Sequence, residues 1–112
     1  VIASRKPENV EPAAAGLSKE LGRTVHALRC DIRDREQVRA AVASVVRDHG
    51  RIDVLANNGG GQFFSPADQI SDKGFDAVVQ TNLTGTWNMT RAVADAWMLE
   101  HGGSIVNITM LT

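Results

Sequence analysis

Apolar residues along the chain change their spacing several times, and each change marks an element. Short apolar runs with β-branched content occupy residues 1–3, 24–29, 52–56 and 104–108 and predict strands. Between them the spacing turns helical. Residues 7–21 open on Pro7, which suits a first turn, and carry the helix formers Ala13, Ala14, Ala15 and Leu17 before Gly22 closes the segment. Asp34, with Gln37 three residues on, reads as an N-cap with a capping-box-like partner. Behind it Val38, Ala41, Val42, Val45 and Val46 follow i, i+3, i+4, i+7, i+8 spacing, and His49-Gly50 ends the helix. After a loop at residues 62–70, Ser71 caps a long helical stretch to about Glu100. Its expected apolar stripe is Phe75, Val78, Val79, Leu83, Thr86, Val93 and Trp97, and His101-Gly102 repeats the earlier ending. Strands alternating with amphipathic helices predict βαβ units and a parallel sheet, hence an α/β fold. No linker, repeat or low-complexity segment divides the chain, so a single domain over residues 1–112 is expected.

The strand at 52–56 ends in an unusual way. Ile52-Asp53-Val54-Leu55-Ala56 runs straight into Asn57-Asn58-Gly59-Gly60-Gly61. Glycines without a Cβ allow positive φ and the close approach of a ligand to bare backbone. Asn57 and Asn58 add amide donors and acceptors at the carboxyl end of a strand, where ligands bind in open α/β sheets. Asn and Gly also dominate ordinary turns, yet two asparagines and three glycines exceed what a turn requires.

Composition narrows the function classes. The chain is 43% hydrophobic and 22% charged, ordinary values for a globular domain. A formal net charge of -1 gives no electrostatic reason to expect nucleic acid or an anionic membrane as partner. The uncharged run at residues 54–66 is broken by Asn, Gly and Gln, so no membrane span is expected. One cysteine, Cys30, excludes an internal disulfide and fits a reducing compartment, so a cytoplasmic location is expected. Three scattered histidines and that cysteine form no metal-ligand pattern. His26 reads as a packed strand residue, and His49 and His101 as helix C-terminal caps.

Three further positions carry candidate chemistry. Asn82 falls on the same helical stripe as Val78 and Val79. A polar amide there must find partners or cost about 1–3 kcal/mol; it either bonds a neighbouring backbone group or organises a site. Ser4, Arg5 and Lys6 follow the first strand. In dinucleotide-binding folds an acidic residue at this place receives the ribose 2′-hydroxyl, whereas Arg accommodates a 2′-phosphate; a solvated basic loop is the alternative. Asp31, just past the second strand, can accept from an adenine amine or pair with Arg33.

Taken together these residues resemble the short-chain dehydrogenase/reductase family over the whole chain, from the second strand of that fold to just past the fifth. Asn57-Asn58-Gly59-Gly60 resembles the family's Asn-Asn-Ala-Gly motif, and Asp31 its aspartate after strand three. Thr81-Asn82-Leu83 resembles the helix segment with the catalytic asparagine, and Gly103-Ser104-Ile105-Val106-Asn107-Ile108 the strand leading to the catalytic serine. The resemblance implies a Rossmann-type doubly wound parallel sheet. It also implies an NADPH site in which Ser4, Arg5 and Lys6 hold the 2′-phosphate, Asp31 and Ile32 flank the adenine, and Asn57, Gly59 and Gly60 line the adenosine ribose. Asn82 is the implied catalytic residue, ordering the hydrogen-bond network.

Within the family, the run Asn57-Asn58-Gly59-Gly60-Gly61-Gln62-Phe63 is similar to peroxisomal trans-2-enoyl-CoA and 2,4-dienoyl-CoA reductases. An acyl-CoA substrate follows, with a 3-oxoacyl or other carbonyl reductase and a non-catalytic NADP-sensing protein as alternatives. The stretch from Ser71 to Glu100 resembles the family's subunit-pairing helix and implies a homotetramer. Two departures stand out. Met110 occupies the place of the usual serine, with Thr109 and Thr112 as the nearby hydroxyls, and the chain has no Tyr, so the family's Tyr-and-Lys pair is not within it. The glycine-rich phosphate loop is absent as well. These departures give the expectation of an internal fragment whose 112 residues alone do not oxidise NADPH with any enoyl-CoA.

Overall fold

The structure, a computed structural model, describes residues 1–109. Strand β1 (Ile2–Ser4) leads into helix α1 (Pro7–Leu21), followed by β2 (Ala27–Arg29), α2 (Arg35–His49) and β3 (Val54–Asn57). A 3-10 turn at Ala67–Gln69 precedes one long helical rod: α3 (Asp72–Val79), a π-helical turn (Gln80–Thr84), α4 (Gly85–Val93), a second π-helical turn (Ala94–Met98) and α5 (Leu99–His101). Strand β4 (Ser104–Asn107) closes the order. Among the described residues no helix is long and apolar enough to cross a membrane.

Local signals act as expected at the helix ends. Asp34 accepts from the backbone N–H groups of Glu36 and Gln37 and so opens α2; Ser71 accepts from Gly74 N at 3.0 Å and opens α3. Gly22 and Gly50 end α1 and α2 in the left-handed conformation, with φ of 65° and 78°. The predicted strand at 24–29 shortens because Ser18 captures the backbone of Val25. Its Oγ accepts from Val25 N at 2.8 Å and donates to Val25 O at 3.3 Å, so that residue never joins the ladder.

The strands form parallel ribbons of two rather than one sheet. β1 pairs with β2 in the register Ile2↔Ala27, and β3 with β4 in the register Val54↔Ser104. In the doubly wound order 3-2-1-4-5-6, the second and fourth strands are separated by the first. β1 and β3 hold the second and fourth places, which is why they do not pair with each other. The core joins both ribbons through helices: Cys30, Val38, Ala41, Val42, Leu55, Ala92 and Val93 form one buried cluster. Val38 and Val93 are each 1% exposed, and burying a valine contributes roughly 1.5–3 kcal/mol.

The long rod differs from its expected stripe. Phe75 and Leu83 are 61% and 68% exposed, whereas Val93 is buried as expected and shares the buried face of α4 with Gly85, Asn88 and Ala92. A stripe of period 3.6 drawn from Phe75 assumes uninterrupted α-helix. The π-turn at Gln80–Thr84 interrupts that phase with i→i+5 bonding around Leu83, while Val93 beyond it keeps its buried place. Val45 and Val46 are only partly buried.

Candidate functional site

The carboxyl ends of β1, β2 and β3 open on a common cavity of about 430 Å³. Ser4 and Arg5 form one wall, and Asp31, Ile32 and Arg33 the next. Gly59, Gly60 and Gly61 form the third, with Phe63, Val78 and Thr81 beyond. Of the residues singled out by sequence, the structure therefore gathers Ser4, Arg5, Asp31, Ile32, Gly59 and Gly60 around one space. Lys6, Asn57 and Asn82 do not line it. A second depression of about 480 Å³ lies between α2 and α4, lined by Arg35, Arg39, Trp87 and Arg91 among others. It collects none of the strand-end residues.

The glycine run is bare for reasons other than backbone φ. Positive φ among glycines occurs only at residues 22, 50, 102 and 103, so Gly59, Gly60 and Gly61 do not use the positive φ open to them. Close approach by the chain itself explains two of the three. A Cβ on Gly59 would lie 2.8 Å from Ile32 Cδ1, and one on Gly60 would overlap Asn82 Oδ1. Gly61 alone has open space beside it. Ile32 is clasped from the other side by Gly85, where a Cβ would come within 2.6 Å of its Cδ1.

Asn82 is exposed, not part of a buried stripe, yet its amide is fully engaged. Oδ1 accepts from Gly61 N at 3.1 Å, while Nδ2 donates to Gly61 O at 2.8 Å and to Val78 O at 2.9 Å. The side chain thus copies a backbone partner and latches the glycine loop to the rod. The π-turn in which it sits brings the amide to that position. Asn57 is buried and acts as a cross-brace: its Nδ2 donates to Thr90 Oγ1 at 3.2 Å and Asn107 Oδ1 at 2.9 Å, tying β3 to α4 and β4. The backbone carbonyl of Lys6 starts α1 by accepting from Asn9 N and Val10 N.

Asp31 is committed to Arg33. Its Oδ1 accepts from Arg33 N and Nε at 3.1 and 3.0 Å, and its Oδ2 from Nη2 at 2.8 Å. The Arg33 side-chain hydrogen bonds are the main reason its carboxyl is lowered from 3.8 to about 2; Arg5 adds a smaller pull. Neighbouring Cys30 is buried, and desolvation, together with the Asp31 and Asp34 charges, raises its thiol. Thr109 is exposed at the end of the described chain, whereas Met110 and Thr112 lie outside the described residues.

Sequence reading missed two participants. Arg33 was named only as a partner for Asp31, though the i, i+2 spacing of opposite charges past a strand end was a visible signal. Asn88 was not named at all. It is 5% exposed, donates to Ile32 O at 2.9 Å and accepts from Arg35 Nε at 3.2 Å, so it anchors the loop that carries Asp31 and Arg33. Its signal is its place between Gly85 and Ala92 at i, i+3, i+7 spacing on the buried face of α4. Among the described residues there is no group of three or more His, Cys, Asp or Glu that could hold a metal ion.

Comparison with known proteins agrees with this geometry. A family model described as short chain dehydrogenase matches residues 1–111. A peroxisomal 2,4-dienoyl-CoA reductase of Danio rerio is 39% identical over 109 residues, covering 97% of this chain and 36% of that protein. The structure of a citronellol catabolism dehydrogenase of Pseudomonas aeruginosa PAO1 matches with TM-score 0.84 and 42% identity over 94% of this chain and 42% of that one. An actinorhodin polyketide ketoreductase solved with NADPH matches with TM-score 0.89 and 37% identity, covering 96% of this chain and 41% of that one. The chain thus spans well under half the length of these relatives. Model match, identity and parallel α/β architecture coincide over nearly every residue, and the chain belongs to the short-chain dehydrogenase family.

Proposed function

We propose that this chain supplies the adenosine-side half of an NADPH site in a short-chain reductase whose substrate is an enoyl-CoA or dienoyl-CoA thioester. The observation that carries the reading is the cavity at the strand ends. Ser4 and Arg5, rather than an acidic residue, follow β1 there, facing the Asp31–Arg33 loop and the open side of Gly61. These residues fit the cofactor: guanidinium and hydroxyl donors suit a 2′-phosphate, the Ile32 wall suits an adenine face, and Gly61 admits a ribose against bare backbone. Arg5 and Ser4 bind the phosphate, with exposed Lys6 adding charge from farther out. Asp31 and Ile32 flank the base, and Gly59 and Gly60 complete the wall that Asn57 braces from behind. Asn82 orders the site by holding Gly61 in place.

When bound, the nicotinamide supplies hydride. Hydride addition to a conjugated thioester builds negative charge on the carbonyl oxygen, which donors positioned beside it stabilise. The acyl-CoA assignment rests on the run from Asn57 to Phe63 and on the name of the dienoyl-CoA reductase relative. The name of the ketoreductase relative favours carbonyl reduction as the second reading. Exposed Leu83, Trp87 and Leu99 on the long rod support subunit pairing, and a homotetramer is part of the proposal. A cytoplasmic setting is too, resting on the one buried thiol.

The test is NADPH consumption by the full-length protein with 2,4-dienoyl-, trans-2-enoyl- and 3-oxoacyl-CoA. Turnover on the first two at least tenfold above the third supports the proposal. The reverse order selects the carbonyl reductase, and binding of NADPH without turnover on any of them selects the sensor.

A further inference from the structure

Asn58 is placed unlike the other asparagines of the chain. Asn9 lies inside α1, Asn57 braces β3, Asn82 latches Gly61, Asn88 anchors the Ile32 loop, and Asn107 accepts from Asn57. Each of these is followed by a residue that carries a side chain: Val10, Asn58, Leu83, Met89 and Ile108. Asn58 is exposed, lies in a stretch without helix or strand, and is followed by Gly59. Among the described residues neither its side-chain amide nor the N–H of Gly59 makes a hydrogen bond. The chain on either side is fixed. Asn57 O accepts from Ile108 N at 3.0 Å, and Gly61 exchanges two hydrogen bonds with Asn82 at 3.1 and 2.8 Å. Only Asn58, Gly59 and Gly60 run between these anchors, and their inner side is filled. A Cβ on Gly59 would lie 2.8 Å from Ile32 Cδ1, and one on Gly60 would overlap Asn82 Oδ1. A glycine nitrogen has no Cβ beside it and the freest backbone rotation, so it can reach the amide carbon of the asparagine before it and close a succinimide ring.

We propose that Asn58 is a site of spontaneous modification, where the Asn58–Gly59 link converts to an isoaspartyl link and unlatches the glycine loop. Gly59 N attacks Asn58 Cγ; as the new N–Cγ bond forms, the side-chain nitrogen leaves as ammonia, taking the Gly59 proton. Water then opens the ring. Opening at Cγ gives aspartate, and opening at the main-chain carbonyl gives isoaspartate, in which the chain runs on through Cβ and Cγ. Nothing is oxidised or reduced, and water is the only co-reactant. The isoaspartyl form sets one extra main-chain atom between two pinned points. Ile32 and Asn82 close the inner side, so the added length is taken up at the weaker anchor. That anchor is the exposed pair of bonds at Gly61, because Asn57 is buried at the other end. The consequence for the cofactor rests on the adenosine-side reading of the cavity, whose wall contains Gly59, Gly60 and Gly61.

Peptide mapping of the full-length folded protein, held in mildly alkaline buffer, tests the site. Conversion is expected at Asn58 well ahead of the other asparagines, with isoaspartate exceeding aspartate, and Asn58→Gln is expected to abolish it. Absence of conversion at Asn58 in the folded protein, whether or not urea releases it, overturns the site. Conversion spread evenly over the asparagines overturns it too. Hydrogen exchange at the Gly61 amide then reads the latch without any cofactor. The isoaspartyl form is expected to exchange about tenfold or more faster than the parent protein, while Asn58→Asp, with the charge but not the extra atom, stays within about twofold. Unchanged exchange in the isoaspartyl form overturns the unlatching, and equal acceleration in Asn58→Asp overturns main-chain lengthening as its cause. Titration with NADPH separates the two readings: affinity is expected to fall about tenfold in the isoaspartyl form. Unlatching without any change in NADPH binding overturns the adenosine reading and supports the modification site alone.

Discussion

Asn82 and Asn88 lie six residues apart on one rod, and each ties a loop to it, but they sit in opposite surroundings. Asn88 is buried and holds Ile32 O and Arg35 Nε; Asn82 is exposed and holds both backbone groups of Gly61. Near Asn88 the loop also packs into the core through Ile32, which is clasped between Gly59 and Gly85. Near Asn82 the glycine loop has no side chain of its own at residues 59–61, and Gly61 has open space beside it. The same amide chemistry thus secures stability in one place and site order in the other. What separates them is access to water: a buried group left unpaired stays unpaired, whereas an exposed one finds solvent.

That contrast is broken most severely at the buried end. Asn88→Ala takes a buried amide from the half-buried Ile32 carbonyl and from the exposed Arg35, and is expected to cost roughly 1–3 kcal/mol, read as a lower urea midpoint. A midpoint unchanged from the parent protein would mean the anchor contributes nothing. Next is Gly85→Ala, whose Cβ meets Ile32 at 2.6 Å; overpacking of this kind costs about 1–3 kcal/mol, eased where Ile32 can change rotamer. Cγ1 and Cδ1 of Ile32 both lie at 2.6 Å, so in an Ile32→Ala background Gly85→Ala is expected to cost far less than in the parent protein if the clash is the cause, and as much if it is not.

At the exposed end the two readouts should separate. Asn82→Ala is expected to move the unfolding free energy by less than roughly 1.5 kcal/mol while lowering turnover about tenfold. A stability loss as large as that of Asn88→Ala would erase the comparison. The smallest effect concerns pH. Asp31 titrates at about 2, below its ordinary 3.8, so its pairing stabilises the fold fully above the ordinary value and is lost as pH falls through about 2. The stability gap between the parent protein and Asp31→Asn should therefore be constant above about pH 5 and close towards pH 2. The pair is partly open to solvent, which keeps that gap small. A gap that widens on acidification contradicts the sign.

Much of the fold was legible because its signals are local. Pro7, Gly22, Asp34, Gly50 and Ser71 fix helix ends by caps and turns that involve only nearby residues. The long rod was legible in part: Val93 is buried as its stripe predicts, whereas the π-turn at Gln80–Thr84, where Leu83 is exposed, leaves no periodicity of its own. The shortened strand β2 was hidden for another reason: Ser18, a helix residue, takes the backbone of Val25 from a distance of seven positions. In the site, the strand-end residues could be located by topology alone. The reason for bare backbone at Gly59 and Gly60 was not visible, because Ile32 and Asn82 reach them only in three dimensions.

The central claim is that the Arg5 side of the cavity selects a 2′-phosphate. Dissociation constants for NADPH and NADH, measured on the full-length protein and on its Arg5→Ala variant, test it directly. The account predicts that NADPH weakens by about tenfold or more while NADH stays within about twofold. Equal weakening of both cofactors, or none of either, would contradict it.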